Sequence, residues 1–300
     1  MTGLTEPSTV AAPAPARWTV LEVIRWTVAR FTERGIETPR LDAELLVAHA
    51  LGLPRVQLYV QFDRPLLPAE LADIRALIKR RQAGESVAYL LGKKEFWGLE
   101  LAVDARVLVP RPDTETLVEE ARERLGEAAR EPADERIADV GTGSGAIALT
   151  LAKLRPGAAV FAAEISPDAL AVARANAEKL ALAVTFVEGD LGAPLAPHAP
   201  FSLIVANLPY IPSGDLAALP PEVKAEPALA LDGGPDGLDL VRRLVTAAPT
   251  LLAERGGLAL EIGIGQAAAT AELLRAAGFT DVRIRRDLAG IERVVSGVRS

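Results

Sequence analysis

The chain has 300 residues, 50% hydrophobic and 24% charged, with a formal net charge of −7. That is the material of one large globular domain or two ordinary ones, and no apolar run approaches the roughly 20 residues of a membrane span. The absence of cysteine excludes disulfides, a thiolate nucleophile and a cysteine metal site and suits a reduced cytoplasmic setting, while the acidic balance disfavours indiscriminate binding to phosphate backbones.

The first 16 residues, rich in Ala, Pro and Thr and without Lys or Arg, read as a disordered tail rather than a targeting peptide. A helical region follows. Apolar residues recur at helical spacing over Trp18 to Phe31, Leu41 to Leu51 and Pro68 to Arg81. From Glu95 to Val109 the apolar period shortens towards two, with Gly98 and Asp104 as turn residues, which predicts a β-hairpin. Asp113 or Thr114 can cap a helix running to about Leu125, and Gly126 to Glu135 is a polar connection. The resulting division is a tail (1–16), a helical N-terminal domain (17–94), a hairpin linker (95–110) and an α/β domain (111–300).

Strand and helix patterns then alternate. Ile137 to Val140, Ala159 to Ala163, Val184 to Val187, Ser202 to Ala206 and Leu258 to Ile262 read as strands. Ala146 to Leu154, a helix capped by Ser166 and running to about Leu180, Leu238 to Ala253 and Gln266 to Ala277 read as helices. Val282 to Arg286 and Ile291 to Ser296 are a final strand pair. Such alternation predicts a mostly parallel sheet covered on both faces.

Asp139-Val140-Gly141-Thr142-Gly143-Ser144-Gly145 leaves the first of these strands and opens a helix. Its glycines permit a tight turn and close approach of a ligand to backbone amides at the helix start. Glu164, at the end of the next strand, can accept from two ribose hydroxyls, and Asp190 from an adenine amino group. These features fit either a dinucleotide or S-adenosylmethionine. Asn207-Leu208-Pro209-Tyr210 ends a later apolar strand and so falls in the same crevice. The Asn207 side-chain carbonyl and the Leu208 backbone carbonyl can each accept a hydrogen from an NH2 group. Pro209 holds Leu208 extended, and Tyr210 can stack on a flat group. The arrangement suits methylation of a planar nitrogen, whether an amide or an adenine. A nucleotide-cofactor oxidoreductase accounts for the glycine loop but not for this tetrapeptide. His49 and His198, far apart in sequence, offer no metal site.

Several further stretches carry a resemblance: 84–92, Glu95-Phe96-Trp97-Gly98, Val109-Pro110-Arg111-Pro112-Asp113-Thr114-Glu115, Glu226-Pro227 with Gly233-Gly234 and Asp236-Gly237-Leu238, Glu261-Ile262-Gly263 with Gln266, and Asp287 to Gly290. Together with the glycine loop and the tetrapeptide, they make the chain resemble the HemK/PrmC family of protein-(glutamine-N5) methyltransferases from about Trp18 to Gly297. The resemblance implies a helical substrate-recognition domain, a hairpin linker and a seven-stranded Rossmann-like methyltransferase domain. It implies S-adenosylmethionine as methyl donor, with S-adenosylhomocysteine as product. The implied substrate is the glutamine of a Gly-Gly-Gln loop in peptide chain release factors, modified by a cytoplasmic monomer with no stable nucleic-acid partner and no membrane. By motif position Gly141, Thr142, Gly143, Ser144, Gly145 and Glu164 bind the cofactor and Asp190 and Leu191 border its adenine. Asn207, Leu208, Pro209 and Tyr210 hold the glutamine amide, with Asn207 also touching the cofactor. Leu208 stands where the family usually has proline, Asp113 where it has Glu, and Glu292 where it has Asp. An N6-adenine methyltransferase acting on nucleic acid is the alternative.

Overall fold

Residues 18–127 and 132–300 are described by the computed structural model. The expected tail therefore lies outside the described residues, as does part of the connection expected at 126–135. The chain divides into two compact units, one ending at Leu90 and the other running from Leu91 to Ser300.

The first unit is helical: α1 (Val20–Glu33), α2 (Pro39–Ala50), α3 (Arg55–Val60), α4 (Pro68–Gln82) and α5 (Val87–Leu91), which reaches the boundary. Thr19 and Glu22 form a reciprocal capping box at the start of α1, an arrangement that contributes about 1 kcal/mol. Val20, Phe31, Leu46, Val47 and Ile74 are fully buried. Asp42, buried among them, accepts from the Arg81 guanidinium at 2.8 Å and from Thr38 at 2.7 Å. α3 and α5 are too short to show a helical period, which is why the sequence pattern does not reveal them.

The second unit opens with a hairpin, β1 (Lys93–Phe96) and β2 (Leu99–Ala102). It is shorter than the 95–109 expected. Trp97 and Gly98 both take positive φ and turn the chain within two residues. Val103, Val107 and Val109 are buried without belonging to a strand, so their period-two spacing reflects packing alone. The hairpin is no detached linker. Phe96, Leu99 and Leu101 pack into the same core as the helices behind the sheet, and the Asn176 side chain exchanges hydrogen bonds with the backbone of Ala102.

A short 3-10 turn at Pro112–Thr114 leads into α6 (Glu115–Glu127). There follow β3 (Arg136–Val140), α7 (Ala146–Leu154), β4 (Ala159–Glu164), α8 (Pro167–Leu180), β5 (Thr185–Glu188), β6 (Phe201–Ala206), the one-turn α9 (Pro221–Lys224), α10 (Asp239–Leu251), β7 (Leu252–Glu261), α11 (Ala267–Ala276), β8 (Phe279–Arg286) and β9 (Glu292–Arg299). The seven strands from β3 onward form one sheet in the order β5-β4-β3-β6-β7-β9-β8. The first five of that order run parallel, β9 runs antiparallel to them, and β8, antiparallel to β9, runs in the same direction as the first five. This is a seven-stranded, Rossmann-like α/β fold. α10 stops at Leu251, two residues earlier than expected, and β7 starts at Leu252 rather than 258 because a register shift between Phe201 and Leu203 lengthens its pairing with β6.

Alternate residues of each central strand serve opposite faces. Ile137, Leu203 and Val205 join the core with α6, α7 and α8, while Ala138, Ile204 and Ala206 join the core with α10 and α11. The strand order reverses between β3 and β6, the place where ligands bind in open α/β sheets. Val140 pairs with Ala163 on one side and with Ala206 on the other. Gly141, Glu164 and Asn207 therefore leave the sheet side by side at the carboxyl ends of three neighbouring strands.

Candidate active site

A cavity of about 320 Å³ opens at that reversal. Of the site residues expected from the sequence, Gly141, Gly143, Glu164, Asp190, Leu191, Asn207, Leu208 and Pro209 line it. Thr142, Ser144, Gly145 and Tyr210 do not, and each has other partners. The Thr142 hydroxyl donates to Asp139 at 2.6 Å. The Ser144 carbonyl accepts from Asn176 at 3.0 Å, and Gly145, at φ 85°, starts α7.

The glycine loop is fixed from below and from the side. Gly141 and Thr142 donate their amides to the Ala163 carbonyl at 2.8 and 3.1 Å. A Cβ on Gly141 would sit 3.2 Å from the Leu208 side chain, so this glycine keeps the loop against the tetrapeptide. Asp139 is fully buried, and burial pushes its carboxyl up to about 7 against the lowering effect of Thr142 and the Ala148 amide. Its Oδ1 has no hydrogen-bond partner among the described residues. Glu164 accepts from the amides of Ile165 and Ser166 on Oε1 and from Gly143 on Oε2. A carboxylate offers about four lone-pair positions, so Oε2 retains one for a ligand hydroxyl. Asp190 is ion-paired with Arg243 of α10. Both side chains are about half exposed, and such a pair is weak enough to share its acceptor with a ligand. Ile165 and Leu229, large apolar side chains left exposed, flank the cavity.

Asn207 donates Nδ2 to the Thr114 hydroxyl at 3.2 Å, which leaves its carbonyl oxygen for other donors. The backbone behind it is clamped. Gln266 donates to the Tyr210 carbonyl at 2.9 Å and accepts from the Gly263 amide at 2.8 Å. Ile211 exchanges backbone hydrogen bonds with Leu231 and Gly233. Among the described residues nothing donates to the Leu208 carbonyl, while its side chain is 3% exposed and packs in the core. Leucine in place of proline is thus held by packing. Burial, with the nearby Glu261, pushes the Tyr210 hydroxyl up to about 12, so it stays neutral. Glu226 is buried, accepts from the Val109 amide at 3.3 Å and pairs with Arg111. Burial raises its carboxyl, an effect that Arg111 partly offsets.

Several residues of this site carry no distinguishing mark in the sequence. Val107 and Leu108, Pro227 and Leu229, and Leu240 with Arg243 complete the cavity wall. Only the spacing of Leu240 and Arg243, one helical turn apart, could have placed them on one face. The lining suits a ligand with a flat ring between apolar side chains and a hydroxyl on Glu164, and the groups suited to a zwitterionic end stand next to it, outside the lining. The amides at the start of α7 favour a carboxylate there, and the unpaired buried oxygen of Asp139 favours an ammonium.

Comparison with known proteins agrees with this geometry. Residues 22–92 match the PrmC N-terminal domain and residues 137–225 a methyltransferase domain. The release factor glutamine methyltransferase of Geobacter sulfurreducens is 48% identical over 284 residues, spanning 94% of this chain and 98% of that protein. The one from Chlorobaculum tepidum is 44% identical over 291 residues, spanning 95% and 98%. The N-terminal domain of human METTL16, solved with SAH, shares the fold with a TM-score of 0.51 at 17% identity, over 73% of this chain and 82% of that one. Near-full-length identity to relatives of one kind, on a fold whose crevice fits S-adenosylmethionine, places the chain in the family of release factor glutamine methyltransferases, which take their methyl group from S-adenosylmethionine.

Proposed function

We propose that this chain methylates the side-chain nitrogen, N5, of the glutamine in the Gly-Gly-Gln motif of peptide chain release factors. The observation that carries the reading is the committed geometry of Asn207. Its Nδ2 is spent on Thr114, so its Oδ1 is an acceptor for a substrate N–H. The Leu208 carbonyl, with no donor among the described residues, is the second acceptor, on the next residue and held by the Gln266 contact with Tyr210 two residues on. An NH2 group held by both is oriented, and the positive charge that grows on nitrogen as it attacks is favoured by both carbonyl dipoles. The neutral Tyr210 ring offers a flat surface for the amide plane.

S-Adenosylmethionine supplies an electrophilic methyl group on sulfonium. The chain's part is to bind and aim. In this reading Gly141 and Gly143 approach the amino-acid end of the cofactor, Asp139 accepts from its ammonium, Glu164 takes a ribose hydroxyl, and Asp190 with Leu191 borders the ring. Thr142, Ser144 and Gly145 hold the loop's shape. The helical unit before Leu90 serves as the recognition module for the protein substrate. The enzyme works in the cytoplasm as a monomer without a stable nucleic-acid partner; among the described residues no helix is long and apolar enough to cross a membrane. Incubation with labelled cofactor and a release factor, intact or Gln→Ala in its Gly-Gly-Gln loop, tests the reading, and a DNA arm tests the adenine alternative.

A further inference from the structure

Behind Asn207, on the side away from the cavity, lies a carboxyl group with no assigned part in methyl transfer. Glu261 ends β7. Leu260 pairs with Ala206, so Glu261 and Asn207 each stand one residue beyond the same register pair, on neighbouring strands. Glu261 is 2% exposed. The Thr114 and Asn207 side chains lie within hydrogen-bonding reach of its carboxyl, while its Oε2 has no partner among the described residues. Among the described residues it makes no ion pair. The charges that face it are Arg293 from β9 and Asp113 from the 3-10 turn, with Tyr210 beside it, and Arg293 is already bound to Asp287 at 3.1 Å and Asp113 at 3.3 Å.

We propose that Glu261 is a positioning residue: as a carboxylate it fixes, directly and through Thr114, which way round the Asn207 amide faces. This inference rests on the role proposed above for Asn207. An ionised carboxylate only accepts. The single Thr114 hydroxyl proton then goes to Glu261, which turns the Thr114 oxygen into an acceptor, and Asn207 must present Nδ2 inward to both. Its Oδ1 is then the face left for substrate. A rotated amide would meet the substrate NH2 with another NH2, donor against donor. Protonated Glu261 can donate to Thr114 or to Asn207, and the order of donors no longer has one solution. Burial, the dominant influence, pushes the carboxyl up to about 7, so the two states exchange near neutrality. A fully buried carboxyl beside a catalytic amide, without a salt bridge, is costly to keep, and this task gives it a use.

The experiment compares single-turnover methylation rates of the full-length wild type, Glu261→Gln and Thr114→Val between about pH 6 and pH 9. The wild type is expected to lose about tenfold in rate per pH unit on the acid side of a midpoint near 7. Glu261→Gln should be about 10-fold slower at alkaline pH and lack that limb, with S-adenosylmethionine affinity within about twofold of wild type, which also reports that it is folded. Thr114→Val, should the glutamine variant misfold, is expected to be slower with the same unchanged affinity. A Glu261→Gln enzyme that binds cofactor normally and keeps the wild-type rate and acid limb overturns the inference. The profile is read on whichever nitrogen is methylated. Equal labelling of a Gln→Ala release factor would therefore overturn the glutamine reading without touching this one.

Discussion

Gly233 lies where three backbone segments meet, and a single methyl group there should be felt at the reacting nitrogen. A Cβ on Gly233 would fall 2.7 Å from the Pro209 carbonyl oxygen and 2.8 Å from both the Cα and the carbonyl oxygen of Gly237. All three are backbone atoms, with no side chain able to swing aside. Ordinary contact needs about half an ångström more on each side, and overpacking of this kind costs about 1–3 kcal/mol. The displacement falls on Pro209, inside the tetrapeptide, and on Gly237, whose loop abuts the Tyr210 carbonyl. A misplacement of about 1 Å costs about 10²-fold in rate, so about half that shift predicts about a 10-fold loss. Gly233→Ala should therefore lower the single-turnover rate about 10-fold while S-adenosylmethionine affinity, measured by calorimetry, changes less than about threefold. A rate within about twofold of wild type in a variant with lowered melting temperature would show that Gly233 serves stability alone, and that the tetrapeptide's position is not what limits methylation.

Asn207→Ala removes the preorganised acceptor and should reduce the rate about 10²-fold or more, roughly 3 kcal/mol, with cofactor binding largely intact; a near-normal rate would end its assigned role. Glu164→Ala should chiefly weaken S-adenosylmethionine binding, and an unchanged dissociation constant in calorimetry would remove the ribose assignment. The Glu261 carboxyl also has a stability signature. Burial raises it from 4.5 to about 7, so the fold prefers its protonated form. The stability it contributes is full below its unfolded value and lost as the pH rises through 7. The stability difference between Glu261→Gln and wild type should accordingly grow in favour of the variant from pH 4.5 upward, to about 3 kcal/mol above 7. Urea titrations at several pH values that give a constant difference would contradict the buried ionisation.

The parallel sheet and its helices are readable in the sequence because the central strands are short, mostly apolar runs that alternate with segments of helical period. Ser166 before Pro167 marks α8 as plainly in the sequence as in space, where the Ser166 hydroxyl accepts from the Ala169 amide. Gly141, Glu164 and Asn207 are readable as one site because the carboxyl ends of parallel strands coincide. The edges are less so. Val103 to Val109 keep an apolar alternation for packing rather than pairing, which extends the expected hairpin past its true end. Leu252 starts a strand where the pattern suggests continued helix, because it pairs with Phe201 ahead of the register shift in β6. Side-chain commitments are the least readable. Asp190 looks like a free acceptor until Arg243, 53 residues later, pairs with it. Gly233, Glu261 and Gln266 carry the resemblance to the family, yet only their contacts explain why they belong together: each lies against the backbone or the amide of the tetrapeptide.

The most direct measurement is labelling by radioactive S-adenosylmethionine of a release factor, intact beside Gln→Ala in its Gly-Gly-Gln loop, with the labelled residue located by peptide mapping. Label on that glutamine in the intact protein, absent from the Gln→Ala protein and from duplex DNA, is the expected result. Label that persists in the Gln→Ala protein, or that appears on DNA adenine instead, would contradict methylation of the glutamine amide.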